Sequence, residues 1–243
     1  MQMRHGWTAR TKRSACLATT ALLTGCVSTG LNYDNLKSGE FSGSVVVIWV
    51  GEGGPSGDGN FLFVPDPDKP LTFRRRDPKA PGAVIKPSIM YTDGGSIPKL
   101  AQAFRGFSPW GYAPAYMIHD WLFVAQHCIR DRDPAPRYQR LKDVTFEESA
   151  KIIGEAIHTL VDANQVKEND TAASLITAAV GTDIARKRWE ADGACAESKV
   201  SAEDLALANR LVPGSTDVQF KQMRRQIPQA KIGQSRIIAR VSF

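Results

Sequence analysis

The chain has 243 residues, 42% of them hydrophobic, with a formal net charge of +6; this is enough apolar material to bury a core and excludes a predominantly disordered polymer. The positive balance does not argue for nucleic acid, because Arg4, Arg10, Lys12 and Arg13 precede the first acidic residue and supply four of those charges. The one local basic run, FRRRDPK from Phe73 to Lys79, lacks interleaved aromatics and reads as a solvated turn, so no nucleic-acid partner is expected.

Residues 1–25 read as an export signal. A basic stretch to Arg13 is followed by the apolar segment ACLATTALLTG, too brief to span a hydrocarbon core about 30 Å thick. Its exit, LLTGC, resembles a bacterial lipobox, in which the Cys26 thiol accepts a diacylglyceryl group before cleavage on its amino side. Acyl chains there would anchor the protein to a membrane, since each buried methylene contributes about 0.8 kcal/mol. Val27 follows, so the aspartate that retains many such lipoproteins at the inner membrane is absent and the outer membrane is the expected address. Ordinary secretory cleavage beside an incidental cysteine is the alternative. Export leaves Cys128 and Cys195 as a candidate disulfide in an oxidising compartment, against the alternative of two buried thiols.

After the signal, residues 26–40 are polar and suit a tether, residues 41–195 suit an α+β core domain, and residues 196–243 suit a C-terminal helical extension with a terminal strand. Short β-prone runs come first: SGSVVVIWV, NFLFV, LTFRR and AVIKPSIMY, broken by Gly and Pro. GEGGPSGDGN between the first two lacks the Gly-Lys-Ser/Thr ending of a phosphate-binding loop and reads as a hairpin connection. From Ile97 the period becomes helical. TFEESAKIIGEAIHTLVDA places Phe146, Ala150, Ile153, Ile157 and Leu160 on one face, with Thr145 and Glu148 as a capping box. A further helix is expected over Ala172 to Trp189, another is capped by Ser201 and Asp204, and RIIARVSF alternates like a strand able to return to the sheet. The fold class expected is α+β, a small antiparallel sheet followed by a helical bundle.

Within that bundle, AYMIHDWLF sets His119 and Asp120 side by side in an apolar run. A helix over residues 114–129 at about 100° per residue is apolar nearly all round, which is the pattern of a buried helix. His119, Asp120, Gln126 and His127 nevertheless gather on one stripe, flanking Tyr116 and Phe123. A carboxylate in such a place must find a cation, a metal or several donors. Upstream, YTDGGSIP offers Asp93 in a tight turn with Gly94, Gly95 and Ser96, and Pro98 can open a following helix. Two carboxylates plus backbone carbonyls suit Ca²⁺. Zinc fits less well, because His119 and His127 lie too far apart along the chain to share one ion in the usual helical spacing. His127 and His158 read as ordinary helix-flank histidines.

TDGGSIP followed by PWGYAPAYMIHDWLF resembles a bacterial and phage family of unknown function, the domain of unknown function 1353 family, with its Asp-x-x-Ser-x-Pro turn and His-Asp helix; the resemblance covers roughly Phe63 to Leu160. The same order is similar, over Thr92 to Phe123, to the secreted bacterial phospholipase A2 enzymes. That second resemblance implies that His119 activates a water, that Asp93, Asp120 and the Gly94 carbonyl bind calcium, and that the ion stabilises the oxyanion of ester hydrolysis. The chain departs from that pattern in several places. Gly95 and Tyr116 stand where those enzymes carry a disulfide, Phe123 replaces a tyrosine, and Ala150 stands where an aspartate would orient the histidine. Glu147 is the available substitute for that aspartate. Three functions stay open: a noncatalytic envelope lipoprotein whose His119 and Asp120 lock the turn, a calcium-dependent esterase acting on envelope lipid, and another hydrolase such as one acting on cell wall.

Overall fold

The structure, a computed structural model, describes residues 32–51, 60–92, 112–166, 180–216 and 235–243. It is an α+β fold with two antiparallel sheets. The smaller is built from β1 (Glu40–Ser42), β4 (Thr72–Arg74) and β5 (Val84–Ile85), in the order β1-β4-β5. The larger has the order β6-β3-β2-β7, from β2 (Ser44–Gly51), β3 (Asn60–Pro65), β6 (Met90–Thr92) and β7 (Arg236–Ser242). The helices follow: α1 (Ala113–Arg130), α2 (Pro136–Gln139), α3 (Phe146–Asp162), α4 (Asp183–Trp189), α5 (Cys195–Ser198) and α6 (Ala202–Leu211).

Strand β2 explains why VVVIWV is continuous rather than alternating. Val45 and Val47 face a large core shared with Met117, Trp121, Ile153 and Ile157 of α1 and α3. Val46, Ile48 and Val50 face the opposite way, onto Leu207 and Ala208 of α6. A strand covered on both faces has no position for a polar side chain. The chain enters β2 through Gly43, whose φ is +82° and where a Cβ would sit 2.3 Å from the Pro70 carbonyl oxygen, so only glycine fits.

Helix α1 starts with Pro114 in its first turn, where the missing N–H costs nothing, and its apolar circumference is buried as the all-round pattern requires. Helix α3 buries Phe146, Ala150, Ile153, Ile157 and Leu160, the face expected from its periodicity. Thr145 Oγ1 accepts from the Glu148 N–H at 3.2 Å, which is half of a capping box; the Glu148 carboxylate turns instead to Arg75.

The expected α+β class stands, with the strands divided between two sheets. Two expectations need correction. The stretch read as a tether is docked from Tyr33 onward, because Tyr33 belongs to the core and begins a short 3-10 turn, Tyr33–Asn35. The C-terminal strand returns to the sheet as its alternation predicts: β7 pairs along β2 from Ser44↔Ser242 to Trp49↔Arg236, and α6 covers the second face of the sheet. Finally, no single helix runs to Trp189. Thr182 is extended, with φ −81° and ψ 161°, and its side chain caps a new helix by accepting from the Ala185 N–H. Residues 172–179 of that expected helix lie outside the described residues.

Candidate functional site

The site is built on α1 where it passes strand β6. His119 is 9% exposed, and its ring packs against Phe123 one turn later at 4.9 Å between centroids. Its Nε2 is buried and has no hydrogen-bond partner among the described residues. Burial disfavours the charged imidazolium and pulls the His119 pKa down to about 4, so the ring is neutral at pH 7. One turn earlier Tyr116, 3% exposed, also buries its hydroxyl without a partner, and desolvation pushes that phenol well above its ordinary range. Asp120 lies at the edge of this stripe. Thr92 Oγ1, at the end of β6, donates to Asp120 Oδ2 at 3.1 Å. His119 Nδ1 and Asp120 Oδ1 are 4.0 Å apart, too far for a hydrogen bond.

Thus the structure brings Asp120 to the residue directly preceding Asp93. Asp93, Gly94, Gly95, Ser96 and Pro98 themselves lie outside the described residues, as does Cys26. Of the expected calcium ligands only Asp120 is described. One carboxylate, with one of its oxygens already accepting from Thr92, falls short of the six to eight oxygens calcium takes, so the described residues alone do not make a calcium site.

Glu147 does not orient His119. It sits on the exposed side of the first turn of α3 and pairs with Arg186 Nη2 at 2.5 Å. The Arg186 hydrogen bond holds its carboxyl below the usual range. Helix α4 brings the Arg186 guanidinium to Glu147, so this carboxylate is paired at the surface.

Cys128 and Cys195 form a disulfide between the last turn of α1 and the start of α5. Asp131 braces the far side of that bond, accepting from the N–H groups of Cys195 at 2.9 Å and Gly193 at 2.8 Å, which lowers its pKa. Asp133 also approaches the two sulfurs, but each is bonded to the other, so neither offers a thiolate and the trio is not a metal centre. The two remaining helix histidines anchor backbone: His127 Nε2 donates to the Arg188 carbonyl at 2.6 Å and His158 Nε2 to the Tyr33 carbonyl at 3.0 Å.

Two polar clusters escaped the sequence reading. Arg75, inside the run taken for a solvated turn, is 6% exposed. It donates from Nε and Nη2 to Glu155 at 2.7 and 2.8 Å, and from Nη1 to Glu148 at 2.6 Å and to the Pro81 carbonyl at 2.7 Å. The available signal was period-two alternation: Phe73 is inside and Arg74 outside, so Arg75 returns inside. The second cluster is Tyr91, which donates to Asp204 Oδ2 at 2.5 Å and accepts from the Ser201 N–H at 3.1 Å.

Compared with protein-family models, curated proteins and solved structures, the chain matches none.

Proposed function

We propose that the protein is a bacterial envelope lipoprotein, anchored through Cys26 and facing the periplasm from the outer membrane, whose His119–Asp120 site is noncatalytic and serves to hold the turn that begins at Asp93. The observation that carries the noncatalytic reading is the position of Glu147. A histidine acting as base is commonly oriented by a carboxylate that fixes its tautomer, and the candidate the sequence offers, Glu147, is paired with Arg186 instead. Asp120 sits at 4.0 Å without a hydrogen bond to the ring and accepts one from Thr92.

A second reading, a calcium-dependent esterase acting on envelope lipid, is favoured by one specific observation. His119 is neutral, which is the protonation state that a general base requires, and its Nε2 has no hydrogen-bond partner among the described residues. Thermal melts of the signal-free protein with and without calcium separate the two. In the noncatalytic case calcium leaves the melting temperature unchanged, and so do Asp93→Asn and Asp120→Asn in their response to it. A calcium-dependent rise that either substitution abolishes, together with ester hydrolysis lost in His119→Ala, would replace the first reading with the second.

A further inference from the structure

We propose that reduction of the Cys128–Cys195 disulfide turns the junction of α1 and α5 into a zinc site, with the two cysteine thiolates and the Asp133 carboxylate as protein ligands and a water in the fourth position. This site is independent of His119, which lies about two and a half turns earlier on α1.

The fold already gathers the three side chains. Helix α1 ends through Arg132, whose φ is +61°, and the Asp133 N–H turns back to the Cys128 carbonyl at 2.8 Å, which sets this carboxylate beside the cysteine of the last helical turn. Gln139 holds the same residue from the other side, donating from Nε2 to the Asp133 carbonyl at 2.8 Å. Helix α5 delivers Cys195, and Asp131 fixes it by accepting from its N–H at 2.9 Å. As a result a carboxylate oxygen of Asp133 and both sulfurs lie within 4.8 Å of one another. In a tetrahedral zinc site, with Zn–S of about 2.3 Å and Zn–O of about 2.1 Å, the ligand atoms stand about 3.5 to 3.8 Å apart. The two cysteine Cα atoms are 4.5 Å apart, so side-chain rotation is enough to separate the freed sulfurs by that distance.

In the disulfide form neither sulfur can take a metal. A dithiol reductant supplies two electrons and two protons, leaves as its own disulfide, and converts the bond into two thiols; Zn²⁺ then displaces both thiol protons to solvent. Thiolates select zinc over calcium and magnesium, which take oxygen ligands. Cys128 is fully buried and Cys195 is 3% exposed, so two thiolates at this place would be costly without a cation, and the ion removes that cost. A cleft of about 430 Å³, lined in part by Cys195, Asp133 and Lys199, gives the ion a route in and the water its room. The partners of Asp133 survive the change. The Ala135 N–H donates to its Oδ1 and Lys199 Nζ to its Oδ2, each at 3.0 Å, so whichever oxygen turns to the metal, the other stays braced. The ion then carries the cross-link between α1 and α5 under conditions in which the disulfide is lost.

The test uses the full chain carrying Cys16→Ser and Cys26→Ser, so that Cys128 and Cys195 supply its remaining sulfurs of this type. Cobalt(II) is the probe, because tetrahedral thiolate ligation gives it visible d–d bands and a near-ultraviolet charge-transfer band. The disulfide form is expected to show neither. After reduction by a phosphine, which adds no thiol of its own, the chain is expected to take up one cobalt per molecule with both bands, and zinc to displace it. Asp133→Asn should weaken binding at least about tenfold, a loss that removal of even an outer partner of a metal ligand can cause. Glu197→Gln, at an exposed carboxylate of α5 outside the trio, should leave binding unchanged. No uptake by the reduced chain overturns the site. Equal affinity in Asp133→Asn and its parent overturns it as well, because a chain unfolded by reduction would bind through thiols alone and be indifferent to Asp133. An equal loss in Glu197→Gln overturns the carboxylate as a ligand and leaves general charge as the cause.

Discussion

Acidification should weaken the fold through His119 before the paired carboxylates of Asp131 and Asp133 contribute. The imidazole is 9% exposed, its Nε2 is unpaired, and burial holds its pKa at about 4 against an ordinary value of 6.5. Because the folded value is below the unfolded one, the unfolded chain binds a proton first as the pH falls. The stability that comes from keeping the ring neutral is complete above pH 6.5 and is lost progressively as the pH drops through that value toward 4. At 1.36 kcal/mol per pKa unit the whole interval amounts to about 3 kcal/mol, and about 2 kcal/mol of it is gone between pH 7 and pH 4.5. The paired carboxylates act lower: Asp131 and Asp133 have pKa values depressed below 3.8, so the stability they contribute is lost only as the pH falls below that. Urea denaturation at pH 7, 5.5 and 4.5 measures the slope, and His119→Gln, which cannot take up the proton, supplies the comparison. The wild type should lose about 2 kcal/mol that the variant keeps. Parallel pH dependence in the two proteins would refute the reasoning, since it would mean that the folded protein protonates His119 as readily as the unfolded chain does.

Arg75→Met should destabilise by about 3 to 5 kcal/mol in the same urea assay, because it strands Glu155 in the core and Glu148 beside it; a loss below 1 kcal/mol would mean that the two glutamates find other partners. The Cys128–Cys195 bridge closes a loop with a sequence separation of 67, for which chain entropy gives about 4 kcal/mol. Replacing both cysteines by serine should therefore lower the urea midpoint, and thiol counting on denatured, unreduced protein should find neither thiol free. Cells supplied with a fatty-acid analogue should label the wild type but not Cys26→Ser; equal labelling would remove the anchor.

What the sequence revealed and what it concealed follow from the range over which each signal acts. Runs of Val, Ile and Phe bounded by Gly and Pro marked β2 and β3, since a pleated strand covered on both faces admits little else. The alternation of RIIARVSF pointed to a returning strand, though not to its place beside β2 at the edge of the larger sheet. The burial of His119 was readable because α1 is apolar all round. The fate of Glu147 was not, because its partner Arg186 lies 39 residues later on a helix whose docking no local pattern encodes. Tyr33 shows the same limit in a polar setting: a short Asn/Ser/Gly-rich stretch looks like a tether unless one knows that His158 is waiting for its ring.

The three residues of β6 show how distant parts of the chain converge on the candidate site. Among the described residues this strand pairs with β3 alone, through Phe61↔Thr92, Leu62↔Tyr91 and Phe63↔Met90, so that ladder is short. Its side chains supply the rest. Adjacent residues of a strand point to opposite faces, and here each of the last two grips an aspartate: Tyr91 donates to Asp204 of α6 on one face, and Thr92 to Asp120 of α1 on the other. Asp204 is in turn held by the N-cap of its own helix, since Ser201 Oγ accepts from the Asp204 N–H and donates to its carboxylate. The end of β6 is therefore fixed by two helices, one from the middle of the sequence and one from near its end.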